Sequence, residues 1–119
     1  MALLHEFRAI DSSIEKAILY SEESYDYFDK GIIKHLDYFE LPDELVDELL
    51  YTKDGKEKFD FEFSRWGIDV YEAEDIIKWE KLFEKHLQEN KIHAEFWKCM
   101  LDFMKRTLSE KRFILHFGI

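Results

Sequence analysis

Histidines are the side chains best suited to acid–base chemistry and metal binding near neutral pH. A metal site on one helix needs two histidines a single turn apart, in the pattern H-x-x-x-H. No two histidines of this sequence have that spacing. Two of the histidines are followed, two positions later, by an acidic residue. On a helix, side chains two positions apart point in different directions, so these pairs cannot bind one ion together. We therefore expect no metal site and no cofactor. The histidines are His5, His35, His86, His93 and His116, and the two neighbouring acids are Asp37 and Glu95.

Carboxylates and a cysteine could also support catalysis. Glu22, Glu23, Asp26 and Asp29 lie close together, but in a chain with 27 acidic residues such proximity carries little information. A solvated helix face also lacks the cleft that shifts the pKa of a catalytic carboxylate. Cys99, the single cysteine, lies in a periodic helical segment and is expected to be a partly buried, inert thiol. Glycine-rich phosphate loops and the G-x-S-x-G motif do not occur, so we expect that the chain is not an enzyme.

The acidic side chains are concentrated in the first half of the sequence. The net charge is −10, and residues 1–51 carry −9 of it through thirteen acidic and four basic side chains. Residues 22–48 contain ten acidic residues and two lysines, Lys30 and Lys34. Such a surface repels nucleic acids and anionic lipids, because binding to phosphate requires lysine or arginine. The expected partner is a basic protein, with a nuclease toxin as the candidate, and not a nucleic acid or a membrane.

The candidate partner-binding residues are carboxylates and tyrosines of residues 22–48. Like charges one turn apart destabilise a helix by roughly 0.2–0.5 kcal/mol per pair, which glutamines would avoid. Tyrosine beside carboxylates is also typical of protein interfaces. The alternative is that the acidity serves solubility, or is neutralised within the chain by Lys105, Arg106, Lys111 and Arg112. The candidate residues are Glu22, Glu23, Tyr25, Asp26, Tyr27, Asp29, Asp37, Tyr38, Glu40, Asp43, Glu44, Asp47 and Glu48.

Hydrophobic spacing predicts that most of the chain is helical. Ser12 and Glu15 have the spacing of a capping box at a helix start, and Gly31 stands where a glycine commonly ends a helix. Pro42 is expected to open a further helix. The three tryptophans are expected to pack between helices and sheet. About five helices are predicted, drawn from the segments 3–10, 14–28, 32–39, 42–50, 76–87 and 92–108.

Two segments instead have the alternating pattern of strands. Residues 58–70 are expected to form a hairpin or a bulged strand around Gly67, and the tail 113–119 is expected to pair with them in antiparallel fashion. The predicted fold class is α+β: a mostly helical single domain of residues 1–119, whose helices pack on one face of a small antiparallel sheet. An all-α bundle, with the alternating segments as extended loops, is the alternative.

The sequence also bears on location. No apolar run approaches the roughly 20 residues that cross a bilayer. The N-terminal segment lacks the basic region and apolar stretch of a signal peptide, and one cysteine agrees with a reducing compartment. We expect a cytoplasmic protein.

Small size, strong acidity and the absence of a catalytic motif are similar to the properties of immunity proteins, the antitoxins that neutralise bacterial nuclease toxins. We expect a protein-binding inhibitor of this kind, whose acidic surface blocks the basic active-site cleft of its partner. Two other classes stay open. One is a nucleic-acid mimic or adaptor protein, and the other is a small enzyme with an unrecognised site of histidines and carboxylates.

Overall fold

The computed structural model describes residues 3–21, 23–31, 33–34 and 36–119, with Ala17 described for its backbone alone. Glu22 and His35 therefore lie outside the described residues. The strands are β1 (Leu4–Ile10), β2 (Asp37–Pro42), β3 (Ile68–Tyr71) and β4 (Phe113–Phe117). The helical segments are a single turn, α1 (Lys16–Leu19), and the helices α2 (Ser24–Asp29), α3 (Asp43–Leu50), α4 (Ala73–Glu89) and α5 (Ala94–Ser109).

The four strands form one antiparallel sheet in the order β2-β1-β4-β3. The two central strands are thus the first and the last described strands of the chain. Phe7 of β1 lies opposite Phe39 of β2 on one side and opposite His116 of β4 on the other. Val70 of β3 lies opposite Leu115 of β4. The α+β class and the antiparallel pairing of the C-terminal tail are confirmed.

Helices cover both faces of the sheet, whereas one covered face was predicted. The larger layer contains α3, α4 and α5, which pack with Phe7, Ala9 and Ile114 in the main hydrophobic core. On the other face, Leu19 of α1 and Phe28 of α2 pack in a smaller core with strand residues that include Ile10, Leu115 and Phe117. The alternation of side chains along each strand supplies apolar residues to both layers.

The long helices follow their apolar stripes. Trp79 and Trp97, on α4 and α5, have no exposed surface. At the start of α4, Glu72 and Asp75 form a capping box in which each side chain meets the other residue's backbone N–H. Gly31 follows α2 with a φ of 72°, the left-handed conformation predicted for a glycine at a helix end.

Several sequence-based assignments are wrong. Residues 3–10, expected to be helical, contain β1, and the expected helix over 32–39 gives way to β2 from Asp37 onward. A single helix over 14–28 was predicted, but this region holds the short segments α1 and α2. Of the predicted strand over 58–70, only the end from Ile68 onward is a strand. The predicted number of about five helices and the all-α alternative are therefore not confirmed.

The helices of the described residues do not reach the combination of length and apolar composition that a bilayer-spanning segment requires.

Candidate functional site

Arg8 lies at the centre of an aromatic cluster on the face of the sheet that α2 covers. It is 8% exposed, and its guanidinium carbon lies 4.6 to 5.7 Å from the centres of four aromatic rings. Attraction between a cation and the face of an aromatic ring is strong when both are removed from water. The rings belong to Tyr25, Phe28, Tyr38 and Phe117.

Two glutamates complete this cluster. Glu6 and Glu40 lie directly opposite each other in the β1–β2 register. Arg8 Nη2 donates to Glu6 Oε2 at 3.2 Å, and the Tyr38 hydroxyl donates to Glu40 Oε1 at 2.6 Å. Burial raises the pKa of Tyr38, and hydrogen bonding to Glu40 and the charge of Glu6 raise it further, so this hydroxyl remains a donor. We call the set of Glu6, Arg8, Tyr25, Phe28, Tyr38, Glu40 and Phe117 the Arg8 cluster.

The Arg8 cluster reaches the protein surface. Tyr25 is 44% exposed while its ring packs edge-on against Phe117, at a centroid distance of 5.4 Å. Glu6 and Glu40 are partly exposed, and together they outnumber the single positive charge of Arg8. The cluster therefore presents a partly immobilised tyrosine and excess negative charge to the solvent.

The structure divides the predicted partner-binding residues between the two faces of the sheet. Tyr25, Tyr38 and Glu40 meet in the Arg8 cluster, on the face that carries α2. The carboxylates of α3 belong to the opposite layer, because α3 packs with the main core. Glu22 lies outside the described residues. The remaining residues on α2 or beside it are Glu23, Asp26, Tyr27 and Asp29, and those on α3 are Asp43, Glu44, Asp47 and Glu48.

Internal cations neutralise part of the predicted acidic surface. Arg65 Nε donates to Asp43 Oδ1 at 2.9 Å, and its Nη1 donates to Asp47 Oδ1 at 3.2 Å. Asp37 accepts a hydrogen bond of 2.9 Å from Arg106, one of the C-terminal cations that the sequence offered for neutralisation. The acidity of α3 and of Asp37 is thus partly satisfied within the chain. Glu6 and Arg8, which sequence reasoning missed, lie on a strand that was mistaken for a helix.

Trp66 is the most exposed of the described tryptophans, at 74%, although all three were expected to be packed. It lies in a turn of residues 64–67, which we call the Trp66 turn, closed by a hydrogen bond from Gly67 N to Ser64 O. Two backbone hydrogen bonds from the segment after β4 hold this turn. Gly118 N donates to Gly67 O at 2.7 Å, and Ile119 N donates to Arg65 O at 2.8 Å. Tryptophan is enriched among the residues that dominate binding energy at protein interfaces.

A second polar cluster lies inside the protein. His5 Nε2 is 2.8 Å from Asp43 Oδ1, His5 Nδ1 is 2.9 Å from His116 Nε2, and His116 Nδ1 is 2.8 Å from Asp69 Oδ2. We call these four side chains the histidine chain. Both imidazoles have no exposed surface, so a substrate cannot touch either ring in this conformation.

Both ends of the histidine chain hold the Trp66 turn. Asp69 accepts hydrogen bonds from Ser64 N at 2.7 Å and from Ser64 Oγ at 2.9 Å. At the other end, Asp43 accepts from Arg65 Nε. No sequence motif could reveal this arrangement, because His5 and His116 are 111 residues apart and meet only through the β1–β4 pairing.

Among the residues that the structure describes, no three histidine, cysteine, aspartate or glutamate side chains converge as they would around a metal ion. Cys99, expected to be partly buried, is exposed on α5. No protein-family model matches the chain, and neither a curated protein nor a solved structure matches it.

Proposed function

We propose that this chain is a protein inhibitor that binds a cationic partner protein through the Arg8 cluster, as an immunity protein blocks a nuclease toxin. The observation that carries the proposal is the pair of glutamates facing each other across β1 and β2 beside an exposed tyrosine. Like charges placed directly opposite on neighbouring strands destabilise the isolated sheet. A lysine or arginine from a partner would convert that repulsion into attraction.

The composition of the Arg8 cluster supports this role. Tyrosine contributes a large, stiff contact area at low entropic cost and is enriched among the residues that dominate binding energy. Tyr25 and Tyr38 are held by Arg8 and the glutamates, so binding would not have to immobilise them. The overall charge of −10 would accelerate the encounter with a cationic protein.

The test combines capture with an activity assay. The immobilised chain is exposed to extract from its native host, and each captured protein is identified, purified and assayed with and without the chain. We expect a cationic enzyme, with a nuclease as the candidate, that loses its activity at a one-to-one molar ratio. Capture of acidic proteins only, or a captured enzyme with undiminished activity, would contradict an inhibitor role.

Matched charge reversals locate the binding surface. Glu40→Lys alters the Arg8 cluster, whereas Glu110→Lys makes the same charge change at the exposed end of α5. We expect Glu40→Lys to weaken capture and inhibition strongly, and Glu110→Lys to retain both. Equal loss in the two variants would show that only net charge matters, and full retention in both would place the interface elsewhere.

A further inference from the structure

The number of hydrogens in the histidine chain follows from its geometry. Three hydrogen bonds join its four side chains, and each of them needs one hydrogen between its two heavy atoms. Two neutral imidazoles bring two hydrogens, and two ionised carboxylates bring none. Two neutral rings that both donate to their carboxylates would face each other with bare nitrogens 2.9 Å apart. A third hydrogen must therefore be present.

The carboxylates do not hold this hydrogen. Burial acts to raise the pKa of Asp69, but hydrogen bonds from His116 and Ser64 outweigh it and lower the pKa below its usual value. Burial likewise opposes ionisation of Asp43, and hydrogen bonds from Arg65 and His5 again lower its pKa. Both groups are therefore ionised near neutral pH, and the third hydrogen belongs to the two imidazoles.

The surroundings admit one positive charge on the imidazoles but not two. Asp43 and Asp69 flank the pair and favour a single imidazolium, while Arg65 beside Asp43 adds positive charge at that end. With both rings protonated, two N–H groups would point at each other. The charged groups facing the pair are Asp43, Asp69 and Arg65, with Asp47 behind Arg65 and the neutral hydroxyl of Tyr71 beside Asp69.

Aromatic rings isolate the pair from water. Phe7 and Phe63 stack on His116 with centroid distances of 4.9 and 4.8 Å, and Phe63 also contacts His5 at 5.2 Å. Water therefore cannot solvate a second charge, and burial lowers the pKa of His5.

We propose that His5 and His116 share one positive charge between Asp43 and Asp69, and that entry of a second proton in mild acid releases the Trp66 turn from these two carboxylates. The second step follows from connectivity. A second proton breaks the bond between the two rings and makes them repel each other, and each ring is bonded to a carboxylate, Asp43 or Asp69, that would move with it. These two carboxylates hold Arg65 and Ser64, so their displacement removes the side-chain bonds of the turn and leaves it held by backbone bonds from Gly118 and Ile119. The turn that carries Trp66 is then less firmly held.

The pH dependence has two limbs. Each histidine of the unfolded chain gains its proton near pH 6.5. Below that pH, His5 and His116 together carry two imidazolium protons in the unfolded chain but one in the folded chain. The free energy of unfolding therefore falls as the pH decreases. Above that pH the unfolded chain has lost both protons while the folded chain still holds the shared one, so stability falls as the pH rises until the shared proton leaves, and does not depend on this pair at higher pH.

Imidazole ¹⁵N NMR tests the proton count directly. Near pH 7 we expect three hydrogens on the four ring nitrogens of His5 and His116, with His5 Nε2 and His116 Nδ1 each carrying one. The third is shared between the two inner nitrogens. A spectrum with two or four hydrogens on these rings would overturn the shared charge.

Amide hydrogen exchange tests the release of the turn. The N–H of Ser64 donates to Asp69, and its protection factor reports opening of this bond. We expect this protection to fall by up to about tenfold per pH unit between pH 6.5 and 5, while the buried amides of α5 stay protected. Ser64 protection that is independent of pH, or that falls only together with α5, would contradict the release.

Two variants separate the histidine chain from general acid effects. Asp43→Asn keeps the shape of a side chain that is 20% exposed but removes one of the two flanking charges. The shared hydrogen should then leave at a lower pH than in the parent chain. His93→Asn alters an exposed histidine at a left-handed position that asparagine tolerates, and should leave both signals unchanged. Identical behaviour of the two variants would overturn the proposal.

Discussion

Arg8 lies directly opposite Tyr38 in the β1–β2 register, and its guanidinium carbon is 5.4 Å from the centre of the Tyr38 ring. The Tyr38 hydroxyl in turn donates to Glu40 and lies 3.3 Å from Glu6. The Arg8 guanidinium thus holds the Tyr38 ring, and the Tyr38 hydroxyl is placed between the carboxylates of Glu6 and Glu40. The nearly buried Nε of Arg8 has no hydrogen-bond partner among the described residues, so the rings are its main compensation for lost water.

Replacing Arg8 with methionine keeps most of its volume and removes its charge. We expect a loss of about 2 kcal/mol in the free energy of unfolding, because the contacts with the rings are desolvated and Glu6 and Glu40 are left to repel each other. Urea denaturation measures the change. Arg112→Met, at a half-buried position outside the Arg8 cluster, should cost no more than about 0.5 kcal/mol. Equal stability of Arg8→Met and the parent would contradict the role of the cation.

Salt should slow association with the partner. If Glu6 and Glu40 attract a cationic surface, the association rate constant should fall steeply as ionic strength rises from about 0.05 to 0.5 M, with a smaller change in dissociation. Stopped-flow kinetics with the captured enzyme provides both rates. Glu40→Lys should reduce the association rate and the steepness of its salt dependence, whereas Glu110→Lys should preserve the slope. A rate that does not depend on salt would exclude electrostatic steering.

Asp69→Asn should destabilise the protein by about 3 kcal/mol, because it leaves the buried His116 without its charged partner. Hydrogen bonding lowers the folded-state pKa of Asp69, so its contribution is present above about pH 3.9 and disappears as the pH falls through the lower, folded-state value. Thermal denaturation as a function of pH measures both effects. Asp60→Asn, at a side chain that is 80% exposed, serves as the control and should stay within about 0.5 kcal/mol of the parent.

Gly118→Ala should disturb the Trp66 turn. A methyl group on Gly118 would lie 2.7 Å from the carbonyl oxygen of Ser64, and backbone atoms cannot move aside as a flexible side chain can. We expect a loss of roughly 1–3 kcal/mol together with a reduced fluorescence anisotropy of Trp66. Gly55→Ala, strained by its φ of 83° but in open space, should lower stability without affecting Trp66. If the anisotropy of Trp66 is unchanged in Gly118→Ala, the close contact of Gly118 does not hold the Trp66 turn in place.

Sequence periodicity identified the elements that bury one stripe. The two long helices and α3 follow the 3.6-residue period. β4 was predicted from the alternation of Phe113, Leu115 and Phe117, although Ile114 and His116 between them are buried as well. β1 was missed because Leu3, Phe7 and Ile10 recur at the spacing of a helix. Phe7 and Ala9 enter one core and Ile10 the other, so the strand lacks the alternation of a half-exposed one.

The segment over residues 58–63 shows the reverse error. Its phenylalanines alternate as in a strand, and they point into the core. The ring centroids of Phe61 and Trp79 are 4.4 Å apart, and those of Phe63 and His116 are 4.8 Å apart. No strand pairs with this segment in the described part of the chain. The alternation therefore reflects the burial of every second side chain, without the hydrogen bonds of a β-sheet.

The candidate site was only partly accessible from sequence. Tyr25, Tyr38 and Glu40 were found through the density of acids and tyrosines, which is a local property. Glu6 and Arg8 join them through strand pairing across about thirty residues. Long-range pairing of this kind leaves no trace in the spacing of a single sequence.

The position of β4 in the sheet has a consequence for synthesis. β3 pairs with β4 alone among the described strands, and β1 gains its second neighbour only from β4. While residues 113–117 are still inside the ribosome, the two halves of the sheet cannot join, and their apolar faces remain open to solvent. The sheet is thus completed only after residues 113–117 have been made, and until then the unpaired edges of β1 and β3 are open to pairing with other chains.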